Sequence, residues 1–271
     1  MADTYVVRSV ADAPALADQM QDLIEAVWPR YITQGSSPPG HPFRIDWFGI
    51  HKRWPRYQIA LFDPAEGEMI ACANGLTLAW DGDEQDLPDE GWDWAMHQGE
   101  VDFKAGLPPK TACALSVTIR TDVRGQNLSR TMLELLCKQA RADGLARLIV
   151  PVRPNLKARY PITPIEEYSI WANEEGLPFD PWLRVHVRMN ARIVKTCPRA
   201  VSLGGTVAEW EEWTGMKFPA SGAYVVPEML APLQIDRRAD QGLYVEPNVW
   251  VVHDLSAAPN KNKWPKADNK G

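Results

Sequence analysis

The sequence predicts a mixed α/β (α+β) fold in which helices flank a central mixed sheet. Three features indicate it: an early strand followed by an amphipathic helix, a β-hairpin, and a strand–turn–helix–strand unit near the middle of the chain. The chain has 271 residues, of which 45% are hydrophobic and 24% are charged. These values are typical of a globular protein with a sizeable core, and they exclude a disordered or fibrous one.

The first feature lies at the start of the chain. Residues 5–8 have the pattern of a short strand. Ser9 and Asp12 are spaced like a capping box, and Pro14 suits the first turn of a helix. Helical spacing then relates the apolar residues Leu16, Met20, Leu23, Ile24, Val27 and Trp28. We expect loops and one short helix between residues 29 and 55.

The hairpin and the segment after it form the next part of the chain. Residues 57–62 and 69–80 have the pattern of two strands joined by a turn, and the second strand is interrupted at Gly75. Residues 81–110 are acidic and contain Trp92 and Trp94. We expect them to form an insertion in the fold.

The strand–turn–helix–strand unit has the clearest pattern in the sequence. Residues 111–119 are a continuous apolar run, which is typical of a buried strand. A turn at residues 120–125 leads to an amphipathic helix, which ends with Gly144 in the C′ position. Residues 148–152 form the second buried strand. Together these elements predict one βαβ unit.

The sequence from residue 154 onward predicts a second insertion and several short elements. Residues 154–179 form the insertion, with a helix that Thr163 and Glu166 cap. Asp180 and Pro181 begin a helix that runs through Met189, and a strand follows at residues 191–196. A short helix opens with a capping box at Thr206 and Glu209, and residues 243–253 form a strand pair broken at Pro247. We expect a core of residues 1–196, a C-terminal extension of 197–255 packed on it, and a disordered tail of 256–271.

The turn before the central helix is suited to bind an anion. It reads Arg124-Gly125-Gln126-Asn127-Leu128-Ser129. Backbone N–H groups at a helix N-terminus lack partners within the helix and lie at the positive end of its dipole. Gly125 lets the backbone approach a ligand closely, and Arg124 adds positive charge. The alternative is an ordinary strand-to-helix turn that requires one glycine.

The surroundings of this turn resemble the coenzyme A-binding core of GNAT-type N-acyltransferases. The family's turn reads R/Q-x-x-G-x-G/A, and Arg124 matches its first position. Asn127 and Ser129 replace the later glycine and the small residue. Ser129 is still small, and asparagine tolerates left-handed backbone better than most residues. The strand, long helix and hairpin that precede the central strand also follow the family's order.

A second similarity lies at residues 185–193. Family members often carry a helix and strand written approximately L-Y-E-K-L-G-F-R-I. Here Arg192 and Ile193 coincide with that pattern, and Met189 stands for the leucine. Asn190 replaces the glycine at a position that favours left-handed backbone, and His186 takes the place of the tyrosine. The resemblance covers roughly residues 5–30, 57–80 and 111–196.

The resemblance implies a fold, a co-substrate and a set of binding residues. The fold would be a GNAT-like central mixed sheet with insertions, and the co-substrate acetyl-CoA or another acyl-CoA. The diphosphate would lie on the amides of the turn, and the pantetheine would pair with the edge of the central strand. Asn155 would also contribute, although a turn cap beside Pro154 explains it equally. The implied binding residues are Val117, Ile119, Arg124, Gly125, Gln126, Asn127, Leu128, Ser129 and Asn155.

Two residues are candidates for the catalytic acid. The resemblance puts His186 where the family has the tyrosine that protonates the leaving thiolate, and imidazole can donate or relay a proton near neutral pH. The alternative is a buried helix residue with a satisfied hydrogen bond. Tyr160 is the second candidate. For the base, the sequence leaves Asp81, Glu100, Asp102 and an ordered water open.

Composition and spacing exclude several other classes of protein. The net charge of −6 gives no basic field to attract nucleic acid or anionic lipid, and no apolar run is long enough for a membrane span. The four cysteines and five histidines show no metal-binding spacing, so we expect no metal. We expect a cytoplasmic monomer or homodimer without a signal peptide. The 12 tryptophans indicate either small cores under the insertions or an aromatic-lined pocket.

The resemblance to GNAT-type N-acyltransferases implies an enzyme, an acyl-CoA-dependent N-acyltransferase that acts on an amine of a small molecule. An acyl carrier protein with a pantetheine thioester is an alternative donor. Two other functions stay open. One is a degenerate GNAT-like module that binds CoA or a partner without turnover. The other is a GNAT-fold decarboxylase or hydrolase of acyl thioesters.

Overall fold

Contacts between residues divide the chain into two compact units. The computed structural model describes residues 5–256. The first unit comprises residues up to 29 together with 45–81 and 95–149, and the second comprises 30–44, 82–94 and the residues from 150 onward. The predicted division at residue 196 stays a prediction.

The helices lie mainly where apolar periodicity predicts them. In the described residues they are α1 (Leu16–Val27), α2 (Arg30–Gln34), α3 (Ile50–Arg53), α4 (Gly91–Lys104), α5 (Leu128–Ala142), α6 (Ile165–Ser169), α7 (Pro181–Arg188) and α8 (Val207–Thr214). The predicted βαβ helix is α5, and Gly144 after it has a φ of +75°, as a C′ glycine requires.

The first unit contains a mixed sheet, as predicted. Its strands are β1 (Val6–Ser9), β2 (Gln58–Phe62), β3 (Met69–Leu78), β4 (Thr111–Ile119) and the start of β5 (Arg147–Val152). They pair antiparallel from β1 to β4, and β5 pairs parallel to β4. The β4–β5 partners are Ala112 with Leu148 and Cys113 with Ile149. Beyond this short parallel stretch, β4 continues to Ile119.

Apolar side chains of α1 cover one face of this sheet. Leu16, Met20 and Ile24 form a buried cluster with Ala60 of β2 and Cys72 of β3. The predicted interruption at Gly75 is a register shift in the β3–β4 pairing between Asn74 and Gly75. A Cβ atom on Gly75 would lie 2.9 Å from the carbonyl oxygen of Cys113, so only glycine fits there without a shift.

The second unit is built around one long strand. Its further strands are β6 (Arg192–Gly205), β7 (Gly222–Tyr224), β8 (Leu233–Asp236) and β9 (Gln241–Asp254). β9 pairs antiparallel with β6 along nearly its whole length and with β8 at its start. Trp210 of α8 is fully buried in the core of this unit with Tyr31, Phe218 and Tyr244.

Two predicted helix caps are wrong in position. Ser9 and Asp12 do interact, since the backbone N–H and the hydroxyl of Ser9 both donate to the Asp12 carboxylate. They close a turn that precedes α1. The N-cap residue of α1 is Ala15, and no side chain makes a capping hydrogen bond there. Likewise Pro164, not Thr163, is the N-cap of α6. The capping box at Thr206 and Glu209 is confirmed.

Three strand and helix predictions are corrected by the structure. Residues 91–104, expected only as part of an insertion, form α4. The strand expected at 191–196 continues to Gly205 as β6. The expected strand pair at 243–253 is a single strand, β9, which passes through Pro247. Pro247 lies opposite an irregularity in β6 between Cys197 and Val201, so the ladder does not need an N–H group there.

All four cysteines of the chain are buried and free. Burial raises the pKa of the Cys72 thiol to about 12 and that of Cys137 to about 11. No helix within residues 5–256 is long and apolar enough to cross a membrane. Apart from Ser256, the predicted disordered tail lies outside the described residues.

Candidate active site

The turn after β4 has the backbone geometry that the sequence predicts. Residues 124–127 are exposed to solvent. Gly125 has a φ of +87° and Asn127 a φ of +60°, so both lie in the left-handed region. Asn127 therefore has left-handed backbone at the position where the turn of GNAT-type N-acyltransferases has glycine. Between them, these two residues turn the chain from the end of β4 into α5.

The N-terminus of α5 leaves its first amides without a side-chain cap. Asn127 is the N-cap residue, and its side chain makes no capping hydrogen bond. The Leu128 side chain is buried in the core, so this residue offers a ligand only its backbone. Ser129 is half-buried. Uncapped amides at the positive end of a 15-residue helix can bind an anion.

Strand β4 offers partly accessible residues beside this turn. Val117 and Ile119 are half-buried, whereas Thr118 between them is buried. The indole Nε1 of Trp28, at the end of α1, donates a 2.8 Å hydrogen bond to Thr118 Oγ1. The first unit therefore brings together all the predicted CoA-binding residues except Asn155.

The other predicted site residues lie in the second unit. Asn155, just after β5, is exposed. Tyr160 is half-buried, and its ring packs against three other aromatic rings, at centroid distances of 6.0 Å from Tyr168, 5.0 Å from Trp171 and 5.9 Å from Phe179. The insertion of residues 154–179 thus has an aromatic core of its own.

Two buried charged residues hold this insertion in place. The Lys157 ammonium donates to the carbonyl oxygens of Tyr160 at 2.8 Å and Leu230 at 2.7 Å, and burial lowers its pKa to about 8. The Asp180 carboxylate accepts hydrogen bonds from the backbone N–H of Leu156 and the hydroxyl of Tyr168. Asp180 is also the N-cap of α7, as predicted.

His186 on α7 is fully buried and pairs with a second histidine. Its Nδ1 lies 2.9 Å from Nε2 of His253 on β9, while its own Nε2 is buried without a hydrogen-bond partner in the described residues. Burial, reinforced by His253, holds the pKa of His186 well below 6.5. His186 is therefore buried and hydrogen-bonded through Nδ1, as the alternative to a catalytic role predicts, but its Nε2 is not satisfied.

The second unit contains a histidine–carboxylate pair that the sequence does not predict. His41 Nε2 lies 3.2 Å from Asp93 Oδ2, and both side chains are more than nine-tenths buried. His41 Nδ1 faces the carbonyl oxygen of Phe43 at 3.1 Å, and Asp93 accepts from the backbone N–H of Ser202. Burial raises the pKa of Asp93 to about 8. No short motif links the two residues, so only the fold could reveal the pair.

The carboxylates considered as the base have structural partners instead. Asp81 forms an ion pair with Lys110, and Glu100 forms one with Lys104. Asp102 is buried and accepts hydrogen bonds from the backbone N–H of Ala79 and from Gln98 Nε2, both at 2.7 Å. Within residues 5–256, no group of three or more histidine, cysteine or acidic side chains is arranged to hold a metal ion.

Comparison with known proteins agrees with the fold. No protein-family model matches the chain. It is 28% identical to the arginine N-acetyltransferase avaD of Aspergillus versicolor, over 93% of this chain and 94% of that protein. In structure it resembles the loading GNATL domain of CurA from Lyngbya majuscula, with a TM-score of 0.57 and 18% identity over 93% of this chain and 98% of that one. It also resembles the GphF GNAT-like decarboxylase in complex with isobutyryl-CoA, with a TM-score of 0.54 and 17% identity over 92% and 99% of the two chains.

The mixed sheet and the likeness to these two structures show a GNAT-like fold. The predicted fold class is therefore confirmed.

Proposed function

We propose that the chain transfers an acetyl group from acetyl-CoA to arginine or another small amine that carries a guanidinium group. The named activity of the Aspergillus relative supports the acceptor and the acyl group. The net charge of −6 is compatible with a cationic acceptor. We further propose that the enzyme works in the cytoplasm as a monomer or homodimer. A carrier-protein thioester stays the alternative donor.

The turn of residues 124–129 is the proposed diphosphate site. The observation that carries this proposal is the left-handed backbone at Gly125 and Asn127 beside the uncapped N-terminus of α5. Uncapped amides there can bind phosphate oxygens, and Arg124 adds a positive charge. The pantetheine would then run along β4 past Ile119 and Val117. Asn155 is the remaining proposed contact.

Transfer requires one bond to form, one to break and one proton to move. The amine nitrogen attacks the thioester carbonyl carbon, the C–N bond forms and the C–S bond breaks. The nitrogen loses a proton, and the sulfur gains one as free CoA leaves. His186, which is neutral in the folded chain, is our candidate to relay a proton to sulfur, because its Nε2 has no other partner among the described residues. Since that atom is out of contact with solvent, the role requires a thioester bound directly against the ring. Tyr160 is the second candidate.

Thiol release from acetyl-CoA tests the proposal. We expect release that depends on added L-arginine, with acetylarginine as the product identified by mass spectrometry. Release without any amine would instead identify a hydrolase. Conversion of malonyl-CoA to acetyl-CoA and CO₂ without thiol release would identify a decarboxylase. Thermal stabilisation by acetyl-CoA without release across a panel of amines would identify a CoA-binding module. Transfer only from an acylated carrier protein would replace the proposed donor.

A further inference from the structure

Three polar side chains form a continuous hydrogen-bonded row across the sheet of the first unit. Gln58 on β2, Asn74 on β3 and Ser116 on β4 are register partners on adjacent strands. Asn74 Nδ2 donates to Gln58 Oε1 at 2.9 Å, and Ser116 Oγ donates to Asn74 Oδ1 at 2.9 Å. We call Gln58, Asn74 and Ser116 the polar row.

The direction of the hydrogen bonds in the polar row is fixed at its Gln58 end. Gln58 Nε2 donates to the backbone carbonyl oxygens of Trp54 at 2.9 Å and Gly75 at 2.7 Å. Carbonyl oxygens only accept, so this end of Gln58 must be its NH₂ group. Its oxygen then accepts from Asn74, whose own oxygen is left to accept the hydroxyl proton of Ser116. Each bond sets the orientation of the next one.

Ser116 consequently offers lone pairs, not a proton, to its surroundings. A hydroxyl has one donor hydrogen and two acceptor lone pairs, and Asn74 takes the hydrogen. In the described residues, no group donates to Ser116 Oγ. Gln58 and Asn74 are fully buried, whereas Ser116 is half-buried and next to Val117. The polar row therefore ends on β4 at a half-buried residue whose hydroxyl oxygen can accept a hydrogen bond.

We propose that Ser116 Oγ accepts a hydrogen bond from an N–H group of a bound substrate. Two N–H groups fit this chemistry: that of the attacking amine and an amide of the pantetheine arm. The inference rests on the proposed function, because it takes β4 as the strand along which the thioester binds. With the amine as donor, this hydrogen bond would turn the nitrogen lone pair toward the thioester carbon.

Ser116 acts in this proposal as a binding residue and not as the base. To take the amine proton, it would have to pass its own proton along the row. Asn74 and Gln58 are neutral amides whose groups are already engaged, so the row cannot carry a proton onward. The proton that leaves the amine must therefore go to another group.

The test compares a Ser116→Ala variant with two other variants. Removal of one neutral hydrogen bond costs about three- to tenfold in affinity or rate. We expect Ser116→Ala to lower kcat/KM for the amine by this factor, with the Kd for acetyl-CoA within about twofold by calorimetry. Ser116→Thr keeps the hydroxyl and should retain activity. Thr77→Val is the matched control, since it removes a strand hydroxyl that accepts from Trp54 Nε1 outside the polar row.

The three variants distinguish the attacking amine from the pantetheine amide as the hydrogen-bond donor to Ser116. A three- to tenfold rise in the Kd for acetyl-CoA would support Ser116 with the pantetheine amide as the donor. If kcat/KM for the amine and the Kd for acetyl-CoA both stay within twofold of wild type, or if Thr77→Val has the same effect, the inference is wrong. A wild-type enzyme that releases no thiol with any amine would overturn the proposed function instead, and the calorimetric comparison would still test Ser116.

Discussion

A histidine that is buried in its neutral form makes the stability of the fold depend on pH. The pKa of His186 lies well below 6.5 in the folded chain and near that value in the unfolded chain. Below pH 6.5 the unfolded chain therefore binds a proton that the folded chain does not. The stabilising effect of the neutral ring is complete above pH 6.5. We expect the free energy of unfolding to fall below this pH by up to about 1.4 kcal/mol per pH unit.

Urea unfolding at pH 7.5, 6.5 and 5.5 measures this dependence. Other groups titrate in the same range, so the wild-type slope must be compared with that of His186→Gln. This variant keeps a polar group that can bond to His253 but has no titrating ring. Equal slopes for the two proteins would show that His186 does not contribute.

The proposed catalytic role of His186 leads to a separate kinetic prediction. His186→Gln should lower kcat at least tenfold, because a positioned acid or base typically contributes about 10²–10⁴-fold. The KM for acetyl-CoA should stay nearly unchanged. The matched variant Tyr160→Phe should keep kcat within about twofold. The reverse result, with kcat lost only in Tyr160→Phe, would transfer the role to Tyr160.

The sequence predicts individual residues with left-handed backbone but not pairs of residues that are distant along the chain. Asn127 and Asn190 have φ values of +60° and +64°, as their places in the two resembling motifs indicate. The partner of His186 could not be predicted, since His253 is brought to it by the pairing of β6 with β9. The row from Gln58 to Ser116 likewise depends on strand register, which no local pattern in this sequence specifies.

Among the elements, the turn into α5 provides the sharpest test of CoA binding. Asn127 has left-handed backbone, which glycine adopts freely and a β-branched residue strongly disfavours. We expect Asn127→Gly to keep the Kd for CoA within about twofold. Asn127→Val should raise it several-fold by shifting the amides of the turn. Calorimetry measures both, and equal affinity in the two variants would place the diphosphate elsewhere.

The N-terminus of α7 should be a major determinant of stability. Asp180→Ala removes the helix cap and leaves the N–H of Leu156 and the hydroxyl of Tyr168 without their acceptor. A lost cap costs about 0.5–2 kcal/mol, and each buried unpaired group costs about 1–3 kcal/mol. We expect a total loss of about 3–5 kcal/mol in denaturant unfolding. Asp180→Asn keeps the cap and should lose clearly less.

Periodicity predicted most elements and failed where packing overrides local preference. Helix α4 contains Gly91 and Gly99, which weaken the helical pattern. A Cβ atom on Gly99 would lie 3.0 Å from the Leu76 side chain, so glycine there allows the close approach of helix and strand. Pro247 predicts a break in β9, yet the irregularity in β6 opposite it removes the need for an N–H group.

The folded structure of the second unit depends on its last strand, β9. β9 pairs with β6 and with β8, and Tyr244 on it belongs to the core of this unit. A chain that ends at residue 240 lacks both pairings. We expect it to lose the native near-ultraviolet circular dichroism and to be digested by protease, unlike a control chain that ends at residue 256. A truncated chain as resistant as the control would contradict this.

The four buried cysteines determine how the enzyme can be assayed. A thiol must ionise and meet a reagent before it reacts, and burial suppresses both steps for Cys72 and Cys137. In the native protein, a thiol-specific dye should therefore react with released CoA and not with the enzyme. In denaturant the same dye should detect four thiols per chain. A single reagent thus measures turnover in the folded enzyme and the unfolded fraction of a damaged variant.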